Sequence, residues 1–170
     1  MSKTQPRTYE EMLSLHEKMV QSIEQSCAKF GVPMPSIGWS NRMTRAVGLA
    51  SKKGLKFSVP LLRSASEAFC IETAIHEAAH YIDIKLRGKS DHGSEWRKIM
   101  TTLGYPNAER CHTLDRSHLH RYEVLCRSCK KVLVKYTREP SASFLHHRRS
   151  ACCHAELALK RIKRGDLINL

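Results

Sequence analysis

The chain has 170 residues, of which 41% are hydrophobic and 6% aromatic, and its formal net charge is +13. This composition is typical of one globular domain with at most a small appendage, and no apolar run approaches the roughly 20 residues that a membrane-spanning helix needs. The N-terminus lacks the apolar centre of a secretion signal, so we expect an intracellular protein, in cytoplasm and nucleoid or in a nucleus, whose seven cysteines are metal ligands and free thiols and not disulfides.

The first predicted element is a helix that follows Thr8. Thr8 and Glu11 have the spacing of a capping box, which marks the start of a helix. Apolar side chains then recur at helical spacing as far as Phe30, and Gly31 ends the helix.

Sheet structure is predicted next, over residues 37–59. Leu55, Phe57 and Val59 alternate with polar residues, which indicates a strand with one buried face. A turn connects this strand to a preceding one at 46–50. The edge of such a sheet, lying beside a metal-bearing helix, is suited to pair with an extended peptide.

The motif HExxH follows, formed by His76, Glu77 and His80. In a helix, residues four apart lie on one face, so the two histidines offer two imidazole nitrogens to one ion. Glu77 is then placed to hold the attacking water and take its proton. The pattern predicts a catalytic Zn²⁺ site with Glu77 as its general base.

A strong helical pattern surrounds the motif. Ser64 and Glu67 have capping-box spacing, and Gly88 is typical of the position just past a helix. The predicted buried stripe consists of Ile71, Ile75, Ala79, Ile82 and Leu86. A chance HExxH rarely falls within such a stripe.

The third zinc ligand has to come from outside this pair of histidines, because a catalytic zinc takes three protein ligands and one open position. His92, in a turn beside Gly93, is the best candidate. Asp83 and Glu95 are rivals, and Asp83 is alternatively a hydrogen-bond partner of a ligating histidine. A short helix is predicted over 94–103. Its apolar side carries Trp96, Ile99, Met100 and Leu103.

A second metal site is predicted near the C-terminus. Cys126-x-x-Cys129 precedes an alternating strand at 130–136, which is the beginning of a zinc-ribbon plan. Cys153 is the expected third ligand of this structural zinc. The fourth is open between three residues: Cys152, His147 and His154.

Positive charge is concentrated in the same region. Residues 110–170 contain 14 Lys and Arg against 5 Asp and Glu, whereas residues 1–109 contain 15 against 11. This imbalance predicts a polyanionic partner for the C-terminal third, most simply nucleic acid.

The order of these features resembles the SprT-like family, whose eukaryotic relatives include the Spartan DNA–protein crosslink proteases. The resemblance rests on IETAIHEAAHYID followed by DHGSEWRKIMTTLGYP, on the preceding SNRMTRAVGLASKKGLKFSVPLL, and on the Cys126-x-x-Cys129 hairpin. One departure concerns the ribbon, where Ser150 stands at the expected first cysteine of the second pair and His154 follows Cys153.

The resemblance implies an α+β protein with two domains. Residues 8–106 would form a zincin-like metallopeptidase domain with helices on a short antiparallel or mixed sheet, and 107–170 a basic zinc-ribbon-like domain. It also implies that His76, His80 and His92 bind zinc and that the substrates are proteins, often DNA-bound, with DNA as a partner. The alternative is a non-catalytic zinc-containing module that binds nucleic acid or regulates a partner.

Overall fold

The computed structural model describes residues 6–110 and 119–162, which form two compact units with the gap between them. Both units mix helices with a small sheet, so the α+β class is confirmed. The predicted domain boundary after Pro106 stays a prediction. No helix in the described ranges combines the length and apolarity needed to cross a membrane.

The first unit contains four helices and three strands within the described residues. In chain order they are α1 (Tyr9–Lys29), β1 (Ser36–Ser40), β2 (Gly48–Ser51), β3 (Gly54–Ser58), α2 (Val59–Leu62), α3 (Glu67–Arg87) and α4 (Ser94–Thr102). Helix α1 begins with the predicted capping box, in which the Thr8 hydroxyl accepts from the Glu11 amide and the Glu11 carboxylate accepts from the Thr8 amide. Gly31, just past its end, has φ +63°, a conformation that favours glycine.

The sheet of the first unit has the strand order β1-β3-β2. Strand β3 pairs in parallel with β1 and antiparallel with β2, so β2 is an edge strand among the described residues. Leu55 and Phe57 face the core, as predicted, but Val59 is not a strand residue, since it begins α2. Ser58, predicted to face solvent, is fully buried because its hydroxyl caps α2 by accepting from the Leu61 amide.

Helix α3 is the centre of the first unit, packed against α1, α4 and the edge strand β2. Two details of the prediction are wrong. The N-cap of the helix is Ser66, whose hydroxyl accepts from the Phe69 amide, and not Ser64. Leu86 is 58% exposed, because the last turn extends past the core that covers Ala79 and Ile82. The helix ends at Gly88, with φ +79°, as predicted.

Over residues 119–162 the second unit contains a three-stranded antiparallel sheet and one short helix. Its elements are β4 (Tyr122–Cys126), β5 (Val132–Tyr136), α5 (Ala142–His147) and β6 (Leu157–Arg161), with strand order β5-β4-β6. The predicted hairpin is thus completed by a third strand. Within residues 119–162 the buried hydrophobic side chains are only Leu119, Val124 and Cys126. Such a small core requires another source of stability, for which a metal ion is the usual solution.

Candidate metal centres

Three imidazoles converge in the first unit. Nε2 of His92 lies 3.0 Å from Nε2 of His80 and 3.1 Å from Nε2 of His76. Helix α3 supplies two of the rings from successive turns, and the loop between α3 and α4 supplies the third. The side chains predicted as catalytic-zinc ligands are therefore brought together at one point.

The spacing of the three nitrogens fits a zinc ion. Tetrahedral zinc with Zn–N distances near 2.05 Å separates its nitrogen ligands by about 3.3 Å, which is close to the distances observed here. Neutral imidazoles also suit a cation better than charged ones. Burial and, to a smaller extent, the nearby His92 together lower the pKa of His80 to about 4, so His80 is neutral at physiological pH.

Trp96 forms the floor of this group of imidazoles. Its ring centroid lies 4.8 Å from those of His76 and His92 and 5.4 Å from that of His80, and the indole is fully buried. The sequence placed Trp96 on the buried side of α4, which is confirmed, but gave no indication of its contact with all three rings. No helical spacing could have indicated this contact, because His92 lies before Gly93, the N-cap of α4.

The side chain of Glu77, a residue of α3, packs against the edge strand β2. It is 8% exposed, and burial raises the pKa of its carboxyl to about 7. A Cβ on Gly48 of β2 would lie 2.4 Å from Cγ and 2.8 Å from Oε1 of Glu77. Glycine at this position is therefore what permits the strand to pass across the carboxylate.

Asp83 and Glu95, the rival ligands, are engaged elsewhere. Both carboxylate oxygens of Asp83 accept hydrogen bonds from Arg87, at 2.5 and 2.6 Å. Burial raises the pKa of Asp83, but hydrogen bonds from Arg87 and Ser90 outweigh it, and the pKa falls below its usual value. Glu95 pairs with Lys98 at 2.8 Å. Neither belongs to the group that surrounds the ion position.

Four cysteine sulfurs converge in the second unit, those of Cys126, Cys129, Cys152 and Cys153, all within 4.8 Å of one another. The Cys129 and Cys152 sulfurs are 3.5 Å apart, close to the roughly 3.8 Å expected between sulfur ligands of tetrahedral zinc. The adjacent residues Cys152 and Cys153 thus both reach the group. Among the described residues His147 and His154 do not join it, although both were alternatives for the fourth ligand.

The surroundings of Cys126 favour its deprotonated form, which is the form that binds a cation. Hydrogen bonds from the Ser150 hydroxyl and from the amides of Cys129 and Ser128 lower the pKa of Cys126 to about 6. Cys153, which hydrogen-bonds to the neighbouring sulfurs, has its pKa raised to about 12. Cysteine sulfurs bind a metal as thiolates, so metal binding at this group would release protons. Ser150, which stands at the position where a cysteine was expected, is 1% exposed. Its hydroxyl acts on the site by lowering the pKa of Cys126 as a hydrogen-bond partner.

Comparison with known proteins gives a match to the model of the SprT-like family over residues 12–118. Protein SprT of Shewanella oneidensis is 29% identical over 150 residues, which cover 84% of this chain and 96% of that protein. Protein SprT of Shigella boydii serotype 18 is 30% identical over 135 residues, covering 75% and 79%. Protein SprT of Actinobacillus succinogenes is 32% identical over 84 residues, covering 48% and 49%. The family match contains all three converging histidines.

Proposed function

Because this chain belongs to the SprT-like family, we propose that it is a zinc-dependent metallopeptidase with a zincin-like first unit. The observation that carries the proposal is the convergence of His76, His80 and His92, with Glu77 directly after the first of them. No fourth side chain joins the group within the described residues. Three ligands and an open position are characteristic of catalytic zinc, whereas structural zinc has four protein ligands.

In this proposal the three Nε2 atoms hold the ion, and Glu77 performs the proton transfers. Bound zinc supplies Lewis acidity that polarises a carbonyl and acidifies water. In the metal-free protein burial raises the pKa of the Glu77 carboxyl to about 7, and in the proposal this carboxylate accepts a proton from water and delivers it to the leaving amine. Trp96 packs against all three imidazoles and excludes solvent from that side of the site.

The substrate is proposed to bind as an extended peptide along β2. This strand has one unpaired edge among the described residues and lies against α3. Gly48 brings its backbone next to Glu77. A peptide that extends the sheet at this edge would pass close to the general base and be held by main-chain hydrogen bonds, so one site would accept many sequences.

The proposal is tested by Glu77→Gln, which preserves shape and removes the base. We expect zinc content to be unchanged and cleavage of a DNA-binding protein, offered with single-stranded DNA, to fall by at least about 10²-fold. Glu72→Gln is the matched control, since Glu72 is a half-buried carboxylate on the same helix and outside the group of histidines. Undiminished cleavage by the Glu77 variant would remove Glu77 from the mechanism.

Binding of DNA through the second unit is the second part of the proposal. Residues 119–162 contain ten Lys and Arg against three Glu. A cavity of about 530 Å³ in this unit is lined by Arg127, Arg149, His146, His147 and Glu156 among other residues, and the Glu156 carboxylate pairs with Arg127. Guanidinium and imidazole groups around an open cavity suit phosphate oxygens, and this favours nucleic acid as the partner.

The DNA proposal is tested with two matched lysine pairs. Lys130 and Lys131 lie in the turn between β4 and β5, and Lys52 and Lys53 lie in the turn between β2 and β3; all four are exposed. Changing the first pair to glutamine should weaken binding of a labelled single strand and reduce the salt slope by about 0.7 for each phosphate that is no longer neutralised. Equal effects of both double variants would show that only net charge matters.

The second zinc is proposed to be structural and held by the four converging cysteines. Metal content per chain measures both sites together, and we expect two zinc ions. The alternative, a module that binds nucleic acid or a partner without catalysis, predicts that Glu77→Gln changes neither the metal content nor any activity. The buried carboxylate next to an open group of ligands argues against it, because a structural site has no use for a base.

A further inference from the structure

The loop between α3 and α4 contacts the metal-binding histidines at a second point besides His92. The hydroxyl oxygen of Ser90 lies 2.7 Å from Nδ1 of His80, on the side of the ring that faces away from the converging nitrogens. The same hydroxyl lies near enough to the carboxylate of Asp83, one turn further along α3, to lower the pKa of Asp83. Arg87 then holds Asp83 with two hydrogen bonds at 2.5 and 2.6 Å. A continuous chain of contacts therefore extends from His80 to Arg87.

The direction of each hydrogen bond in this chain follows from chemistry. If Nε2 of His80 offers its lone pair to an ion, the proton of the neutral ring is on Nδ1, and Nδ1 donates to the Ser90 oxygen. The Ser90 hydroxyl is then free to donate to Asp83, which is ionised and only accepts. Arg87 fills the remaining acceptor sites of the carboxylate. Each link of the chain then has one donor and one acceptor, so the chain fixes one tautomer and one orientation of the His80 ring.

The burial of Asp83 shows that this chain is more than a surface contact. Its carboxylate is 1% exposed, and a buried carboxylate is costly unless its partners satisfy it. Arg87 alone would satisfy it from the exposed side. Ser90 adds a contact on the side of the metal site. Its hydroxyl lies between the Asp83 carboxylate and Nδ1 of His80, so the negative charge of Asp83 favours the proton on Nδ1.

The turn that carries His92 does not depend on the Ser90 hydroxyl. The carboxylate of Asp91 accepts from the Gly93 amide at 2.6 Å, which closes the turn next to His92. The hydroxyl of Ser90 is directed instead to His80 and Asp83. The side chain of Ser90 is half-buried, so its removal leaves no cavity in the core.

We propose that Ser90 is a positioning residue that links the carboxylate of Asp83 to His80 and thereby sets the metal affinity of the site. The proposal rests on the metal site of the proposed function but not on peptidase activity. Outer hydrogen-bond partners of metal-binding histidines typically change metal affinity by 10- to 100-fold. Here the partner is a serine that stands between the histidine and the carboxylate, which makes the hydroxyl necessary to the link.

The test compares Ser90→Ala with Ser90→Thr, which keeps a hydroxyl, and with Ser94→Ala as the matched control on the same stretch of chain. Zinc affinity is measured by competition with a chromophoric chelator, and the geometry is followed by the visible spectrum of the Co²⁺-loaded protein. We expect Ser90→Ala to raise the zinc dissociation constant by about 10- to 100-fold and to shift the cobalt bands. The threonine variant and the Ser94 variant should remain near the wild type. Thermal midpoints of the metal-free proteins should coincide.

Three results would overturn the inference: unchanged zinc affinity in Ser90→Ala, an equal loss in Ser94→Ala, or a loss in Ser90→Thr as large as in the alanine variant. A loss of affinity that is matched by a lower thermal midpoint of the metal-free protein would also overturn it, because it would show a general effect on the fold. These outcomes are separate from failure of the proposed function. Glu77→Gln tests that function through cleavage, whereas the Ser90 variants are read through metal binding alone.

Discussion

A single methyl group at Gly48 should disable the proposed general base. The Cβ of alanine at this position would lie 2.4 Å from Cγ of Glu77, whereas ordinary contacts begin near 3.4 Å. Either the carboxylate or strand β2 has to move by about 1 Å. A displacement of that size in a catalytic group can cost about 10²-fold in rate, and overpacking a tight contact typically costs about 1–3 kcal/mol of stability. We therefore expect Gly48→Ala to lose about 10²-fold in kcat while zinc content is unchanged.

The assay is cleavage of a DNA-binding protein with single-stranded DNA, combined with metal analysis and urea unfolding. Gly38→Ala is the control in the same sheet, because its Cβ would meet its nearest neighbours, on Leu55 and Lys56, at 3.8 and 3.9 Å. Neither glycine has a positive φ, so backbone strain affects neither variant. If Gly48→Ala cleaves as fast as Gly38→Ala, the reasoning is refuted, since β2 would then not constrain Glu77.

Three further predictions concern the two metal centres. Cys152→Ser should remove one zinc equivalent per chain and unfold the second unit, whereas His154→Ala should retain the metal; metal analysis with circular dichroism separates the two outcomes. In the metal-free protein, burial raises the pKa of Glu77 from 4.5 to about 7, so the folded state holds a proton that the unfolded chain has released. The free energy of unfolding should therefore fall between about pH 4.5 and 7, by at most about 1.4 kcal/mol per unit, and Glu77→Gln should remove this part of the slope. Trp96→Ala should cost about 3–5 kcal/mol in urea unfolding and weaken zinc binding, and a cost under about 1 kcal/mol would contradict its role as the floor of the site.

The sequence was sufficient wherever the determining contacts are local. His76 and His80 are four residues apart on one helix, and the helical stripe around them indicated that the helix forms. His92 was predicted because Gly88 ends that helix and the following turn is short. The capping box at Thr8 is local in the same sense, and its hydrogen bonds are present.

Contacts between distant parts of the chain were not predictable in this way. The approach of Gly48 to Glu77 joins residues from a strand and a helix, and no periodicity in either indicates it. The position of Ser90 against His80 depends on how the loop folds back. In the second unit, the adjacent cysteines 152 and 153 had no recognised spacing. Only the three-dimensional arrangement brings both sulfurs to one point.

Because Trp96 contacts all three imidazoles, its fluorescence can report whether the first metal site is occupied. The chain has two tryptophans, and the other, Trp39, stacks on His16 with ring centroids 3.7 Å apart. A quenching ion such as Co²⁺ bound by the three imidazoles would lie beside Trp96 and quench its fluorescence, while Trp39 would contribute a constant background fluorescence. Intrinsic fluorescence can thus report occupancy of this site during a titration without any added dye.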